Sequence, residues 1–217
     1  MILRTIVGLF LIMSGCSGKQ HPADNGQPVD HELPPLAIGI VNGVNRGTSY
    51  TDASGVEYNL RYIPVTLTND SIVPVRVRIA FSKEYAYPGT IDPDKFHIIP
   101  LPREWALEGS GVTDSMKNAL QDFIASPSMV TTIAPGDPLL FAIGTLYPRP
   151  PKTTGVLPRA LFVHTDSTRF STCDWHMQRD PSSAKLITGS QIPLGLRMVF
   201  GEDCAVIPCG HLSYLKG

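Results

Sequence analysis

The clearest alternation in the chain runs over residues 73–81. Val73, Val75, Val77, Ile79 and Phe81 take every second position there, and Arg76 and Arg78 fall between them. Period-two patterning puts the apolar set on one face and both guanidinium groups on the other, which predicts a half-buried strand. Residues 58–67 alternate through most of their length, with Tyr58, Leu60 and Tyr62 sharing a face. Pro64 interrupts them, and because proline offers no ladder donor it predicts an edge or a bulge. Asn69, Asp70 and Ser71 supply turn chemistry between the two segments, so the pair reads as an antiparallel hairpin. Upstream, the apolar run 36–41 ends at Asn42-Gly43, a turn dipeptide.

Further along, Pro88, Pro93, Pro100 and Pro102 break residues 86–112, leaving one short strand over 96–99. The period then changes. Met116, Leu120, Phe123 and Ile124 follow helical spacing, Thr113 or Asp114 can cap the helix, and Ser126-Pro127 stops it, giving an inserted helix around 113–125. Its apolar stripe is expected to pack on the sheets rather than to receive a partner. Strands resume at 130–133 and 139–146 around an Ala134-Pro135-Gly136-Asp137 turn. A Pro-rich loop (147–158) follows, then strands at 160–164 and 193–200 and apolar runs near 205–207 and 211–215. Eight or nine short strands, one inserted helix and no internal repeat predict a mainly β fold, an antiparallel β-sandwich over 36–217. The segments VTLTNDS (65–71) and IAPGD (133–137), each followed by an apolar run, resemble immunoglobulin-like sandwich domains of extracytoplasmic proteins. That resemblance is to an architecture and implies no particular activity.

At the N-terminus Arg4 precedes the apolar stretch 6–13, which leads into Ser14-Gly15-Cys16. Eight residues span about 12 Å as a helix, against roughly 30 Å of hydrocarbon, so the stretch suits a removable signal rather than a transmembrane anchor. The whole resembles the signal and lipobox of bacterial lipoproteins, with Met13 where leucine is usual. The resemblance implies removal of residues 1–15 and acylation of Cys16. It places the chain in the cell envelope, and Ser17 after the cysteine favours the outer membrane over the inner. Several acyl chains give stable anchoring. Residues 16–35 then form a tether: the stretch after Cys16 lacks periodicity, is rich in Gly and Pro, and reaches about 25 Å as a coil. Its His21 and His31 are read as idle.

Composition narrows the function classes. Without residues 1–15, which contain Arg4 and no acid, 17 basic residues face 19 acidic ones, a net charge of −2. No overall basic field exists for nucleic acid. Gly (19) and Pro (20) together make 39 of 217 residues, about 18%, well above the usual ~12%, as many short elements joined by turns require.

The candidate chemistry lies near the C-terminus. With Cys16 acylated, three cysteines remain, and an oxidising envelope favours one disulfide among Cys173, Cys204 and Cys209, with one thiol left over. The alternative gathers Cys173, His176, Cys204, Cys209 and His211 around a zinc or copper ion, which thiolates and imidazoles suit. Otherwise no cofactor beyond the lipid is expected. Catalytic motifs such as G-x-S-x-G, H-E-x-x-H and a phosphate-binding loop are absent. Ser182-x-x-Lys185 lacks its companion motifs, Glu104 and Glu108 around Trp105 read as a solvated face, and Asp92-Pro93-Asp94 as a turn. Trp105, Tyr147 and Trp175 are candidate binding aromatics, suited to stacking on a glycan or a partner surface or to closing the ends of the sandwich. The sequence therefore points to a non-catalytic binding or structural module that meets the membrane through its lipid and contacts another envelope protein or a glycan. A small metal-binding protein or hydrolase is the alternative.

Overall fold

A computed structural model describes residues 35–86, 95–109, 111–149, 159–164, 187–200 and 203–215. Leu33–Gly217 forms one unit. The signal, Cys16, nearly all of the tether, most of the Pro-rich loop, Asp92, Asp94, Cys173, Trp175, His176, Ser182 and Lys185 lie outside the described residues.

Two antiparallel sheets face each other as a sandwich. The first contains β1 (Leu36–Asn42), β2 (Arg46–Thr51), β3 (Glu57–Asn69), β5 (Tyr85–Ala86), β6 (Lys95–Leu101), β8 (Pro138–Pro148) and β10 (Ile187–Gly189). Its order is β10-β1-β3-β8-β6-β5, with β2 also alongside β3. The second contains β4 (Val75–Ala80), β7 (Ser128–Ile133), β9 (Arg159–His164), β11 (Gln191–Phe200) and β12 (Asp203–Tyr214), in the order β7-β4-β12-β11-β9. Between the sheets, Ile63, Val65, Leu67, Phe141 and Ile143 of the first meet Val75, Val77, Ile79, Leu194, Leu196 and Leu212 of the second in one buried core.

The predicted hairpin over 58–81 does not form. β3 pairs with β1, β2 and β8, whereas β4 pairs with β7 and β12, so residues 70–74 carry the chain from one sheet to the other. The turn at 134–137 does the same between β7 and β8. Asn69, fully buried, joins these two crossings. Its Nδ2 donates to the carbonyls of Val73 (2.9 Å) and Ile133 (3.0 Å), and its Oδ1 accepts from the Ser71 amide at 3.0 Å. Ser71 Oγ accepts in turn from the Ala37 amide at 2.7 Å, tying the crossing to β1. A buried amide with three satisfied bonds fixes a corner that a solvated turn residue would leave loose.

Pro64 lies in the middle of a central strand rather than at an edge or bulge. On one side β3 is continuous with β8. On the other, β1 pairs residues 65–69 and β2 pairs residues 57–62, leaving a break opposite Ile63 and Pro64. The Gly43 amide in that break donates to the Pro64 carbonyl at 2.7 Å. Within a strand residue the N–H and C=O point the same way, so the donor that proline lacks faces the break, where no ladder acceptor waits.

A third layer covers the outer face of the first sheet. Residues 114–125 form two short helices, α1 (Asp114–Asn118) and α2 (Leu120–Ala125), with Ala119 between them instead of one continuous helix. Thr113 caps α1 by accepting the Met116 amide at 3.3 Å. Leu120 is buried, and Met116, Phe123 and Ile124 pack beside it, in a second core with Leu60, Tyr62, Leu101, Leu146 and Trp105. The helical stripe thus packs on the sheet, as its spacing predicts.

Candidate functional site

The C-terminal cysteines fall on a single long strand, β12. Residues 205–207 and 211–214 belong to the same strand, and the interruption between them is a bulge. Leu194 pairs with Gly210 and Gly195 with Pro208, so Cys209 is the extra, unpaired residue. Gly210 takes φ +143°, and a Cβ there would collide with the Arg78 carbonyl of β4. The bulge therefore requires glycine at this position for both conformation and space.

This geometry separates the candidate ligands. Cys204 pairs with Val199 and lies on the outer face of its sheet, while Cys209 is 2% exposed in the inter-sheet core. Five residues of extended chain also put about 16 Å between them, and disulfide partners need Cα atoms within about 7 Å. A Cys204–Cys209 bond is excluded, and both are free thiols. For the same reason they cannot share one ion: two sulfurs, each about 2.3 Å from a zinc, lie within about 4 Å of each other. Among the described residues no group of three His, Cys, Asp or Glu is placed to hold a metal. Burial pushes the Cys209 thiol up to about 12. It is a small apolar core residue rather than a nucleophile.

Two of the three candidate aromatics are also core residues, which corrects their reading as ligand-stacking rings. Trp105, 2% exposed, ends a 3-10 turn (Arg103–Trp105) and meets Tyr62 edge-on, centroids 5.1 Å apart. Tyr147, also 2% exposed, belongs to β8 rather than to the following loop and stacks on Phe96 at 5.2 Å. The indole and phenol faces are already occupied by other rings. Outside those candidates, Tyr58 and His97 lie half-buried at the surface, with Tyr50 buried behind them. Tyr58 lies 6.1 Å from Tyr50 and 5.9 Å from His97, and the Gln121 side chain donates to the Tyr50 hydroxyl at 2.6 Å. Burial, followed by the Asp52 carboxylate, raises the Tyr58 hydroxyl above its ordinary value. These rings finish the second core at its rim.

The concave features are slight. A shallow groove of about 290 Å³ runs along β2 and β3 and is lined by Ser49, Asn59, Arg61 and Arg149 among others. A smaller cavity of about 10 Å³ beside Thr145 has room for roughly one water.

The strongest charge feature is the outer face of the second sheet. Its strands contain Arg76, Arg78, Arg159, Arg197, His164 and His211 against one acidic residue, Asp203, in their sequences; Arg197 on β11 is buried, so the exposed part of the face lies on β7 and β4. Strand register assembles two rows across β7, β4, β12 and β11. One reads Val130, Arg78, His211, Pro193, and the other Thr132, Arg76, Ser213, Gln191. Both arginines are exposed, as the alternation of 73–81 predicts, and Val130 is 53% exposed. About 7 Å of strand separates the two arginine Cα atoms. The salt bridge of Lys95 with Glu84, at 2.7 Å beside the other sheet, involves neither arginine. The two guanidinium groups are left for solvent or for an anionic partner.

The fold and this face define an antiparallel β-sandwich with a helical layer on one side and, on the other, a face where Arg76 and Arg78 are open to solvent. Comparison with protein-family models, curated proteins and solved structures finds no match. Among the described residues no helix is long and apolar enough to cross a membrane.

Proposed function

We propose that the chain is a lipid-anchored envelope protein, held through Cys16 and sorted to the outer membrane, whose β-sandwich is a non-catalytic module that binds another envelope component. The lipobox-like sequence at 13–16 supports the anchor, and the 16–35 tether gives the domain reach from the bilayer. One observation carries the binding reading: the paired rows around Arg76 and Arg78 present cations, a hydroxyl and exposed apolar surface with no acid in register to neutralise them. Two desolvatable arginines on a rigid strand favour an acidic partner and set its orientation more than its affinity.

The anchor is tested by Cys16→Ser. The variant is expected to leave the membrane fraction for the soluble one, and retention in membranes would defeat the anchoring reading. Binding is tested by proximity crosslinking in intact cells from sites on β4 and β12. Recovery of a discrete neighbour is expected, and it should be lost when Arg76 and Arg78 are both changed to Thr. An unchanged pattern in that variant would remove the face from the argument.

A further inference from the structure

The two edges of the second sheet are treated differently. At β9 the Asn42 side chain, reaching over from β1, donates to the Phe162 carbonyl and accepts from the Phe162 amide, both at 2.8 Å. A side-chain amide there occupies the edge much as a neighbouring strand would. At the opposite edge, β7 has β4 on one side and, among the described residues, no strand on the other. The Ile133 carbonyl is held by Asn69, and Ser128 donates to the Ser126 carbonyl at 2.7 Å. Among the described residues no strand pairs with the stretch Met129–Thr132 on its free side.

This edge also lacks the usual protection. Natural edge strands carry lysine, an internal proline, a bulge or an inward charge to discourage strand addition. β7 reads Ser-Met-Val-Thr-Thr-Ile, and residues 123–136 contain no charged side chain at all. It alternates cleanly, with Met129 and Ile133 toward the core and Ser128, Val130 and Thr132 exposed. Such a strand is a template for an added one.

From this, and resting on the binding reading above, we infer that the free edge of β7 accepts an extended acidic segment of a partner protein as an added strand, its carboxylates meeting Arg76 and Arg78. The chemistry of the occupant follows from register. An added strand lies two strand spacings from β4, roughly 9–10 Å. Glutamate side chains on its outward face lean across Val130 and Thr132 toward arginines that lean the opposite way. Apolar residues at the alternate positions face Met129 and Ile133. A second copy of this chain is the poorer occupant. Two β7 edges paired about a two-fold axis would set four arginines in one continuous face and bring no acid to it, and like charges so arranged oppose association. The arginines thus discourage self-addition on an otherwise unguarded edge and favour an acidic partner.

The test uses the full-length chain in detergent micelles and a synthetic ten-residue peptide alternating valine and glutamate. The peptide is expected to bind and to slow hydrogen exchange of residues 128–133 while leaving β9 unchanged. Replacing its glutamates by lysines, or N-methylating alternate amides, should abolish binding, since one removes the charge match and the other the ladder. Arg76→Thr with Arg78→Thr should weaken binding by roughly tenfold or more, with steeper loss in salt for the wild type. Because both arginines point to solvent, an unchanged melting temperature shows that this variant is folded. Equal binding of the lysine peptide, protection elsewhere than β7, self-association through β7, or capture of anionic lipid vesicles without β7 protection would each overturn the inference. Crosslinked neighbours that survive in cells while β7 stays unprotected would remove strand addition and leave the binding module standing.

Discussion

The outer face of the first sheet and that of β4 and β7 in the second are built from similar strands and end in opposite states. On the first sheet, Leu60 and Tyr62 of β3, Leu101 of β6 and Leu146 of β8 point away from the inter-sheet core yet are buried beneath Trp105 and α2. On the second, the equivalent outward positions of β4 and β7 are Arg76, Arg78, Val130 and Thr132, and they remain open. The difference shows where each sheet does its work. A face that buries leucine and tyrosine contributes stability. A face that keeps arginines in solvent contributes little to folding and is available for recognition.

The largest expected effect lies on the covered face. Trp105→Ala removes an indole packed on Tyr62 and opens a cavity under α2, which costs about 3–5 kcal/mol. For a domain of this size that corresponds to a fall in melting temperature of about 6–20 °C, read by calorimetry. A loss below about 1 kcal/mol would mean that the helical layer is a loose cover, and the contrast between the two faces would collapse.

Much of this was legible in the pattern, and the exceptions share a cause. β4 alternates because one of its faces is wet, so its register could be read directly. In β3, residues 62–65 are apolar on both parities because both faces are buried there; the pattern shows the Tyr58, Leu60, Tyr62 face, but not that it meets helices. The crossing at 70–74 reads as a hairpin because a hairpin and a sheet-to-sheet crossing have the same strand-turn-strand composition. What separates them is Asn69 binding carbonyls 4 and 64 residues away, which no local window contains. The break near Cys209 looked like two short strands because a bulge resets the alternation. With it went any site that uses both cysteines at once: spacing in sequence does not report that Cys204 and Cys209 face opposite sides of one strand. The basic face was legible as Arg76 and Arg78, but its lack of acids depends on which strands become neighbours.

A second, smaller effect contrasts the dry and wet faces of the second sheet. Cys209 points into the core and His211, two residues later, outward. Burial raises the Cys209 thiol from its ordinary 9.0 to about 12. In the unfolded chain the thiol ionises near pH 9 while the folded protein keeps it protonated. The unfolded state then binds fewer protons, and stability falls as pH rises. The contribution is complete below pH 9 and declines by about 1.4 kcal/mol per pH unit until the folded thiol ionises near 12. Denaturant melts from pH 8 to 11 should show this slope in the wild type relative to Cys209→Val, in which the other titrations are common and cancel. Equal slopes would mean that the bulge admits water and that the inner face is not dry.

The smallest expected effect is the most diagnostic of the comparison. Arg76→Thr together with Arg78→Thr replaces two exposed side chains with a residue of high strand propensity and leaves Val75, Val77 and Ile79 packed as before. Exposed charges with no ion-pair partner contribute little, so stability should stay within about 0.5 kcal/mol of the wild type and increase if the adjacent like charges repel measurably. A chemical-denaturation midpoint with an unchanged slope is the measurement, since a changed slope would signal a different unfolded or native compactness. A loss of 2 kcal/mol or more, well above the range for surface substitutions, would show that the guanidinium stems cover apolar surface as part of the fold. Recognition would then have to be sought on another surface, beginning with the groove beside Arg61 and Arg149. A neutral result ties the two arginines to no structural task, and the outer surface of β4 and β7, which spends no folding energy on them, remains free to bind.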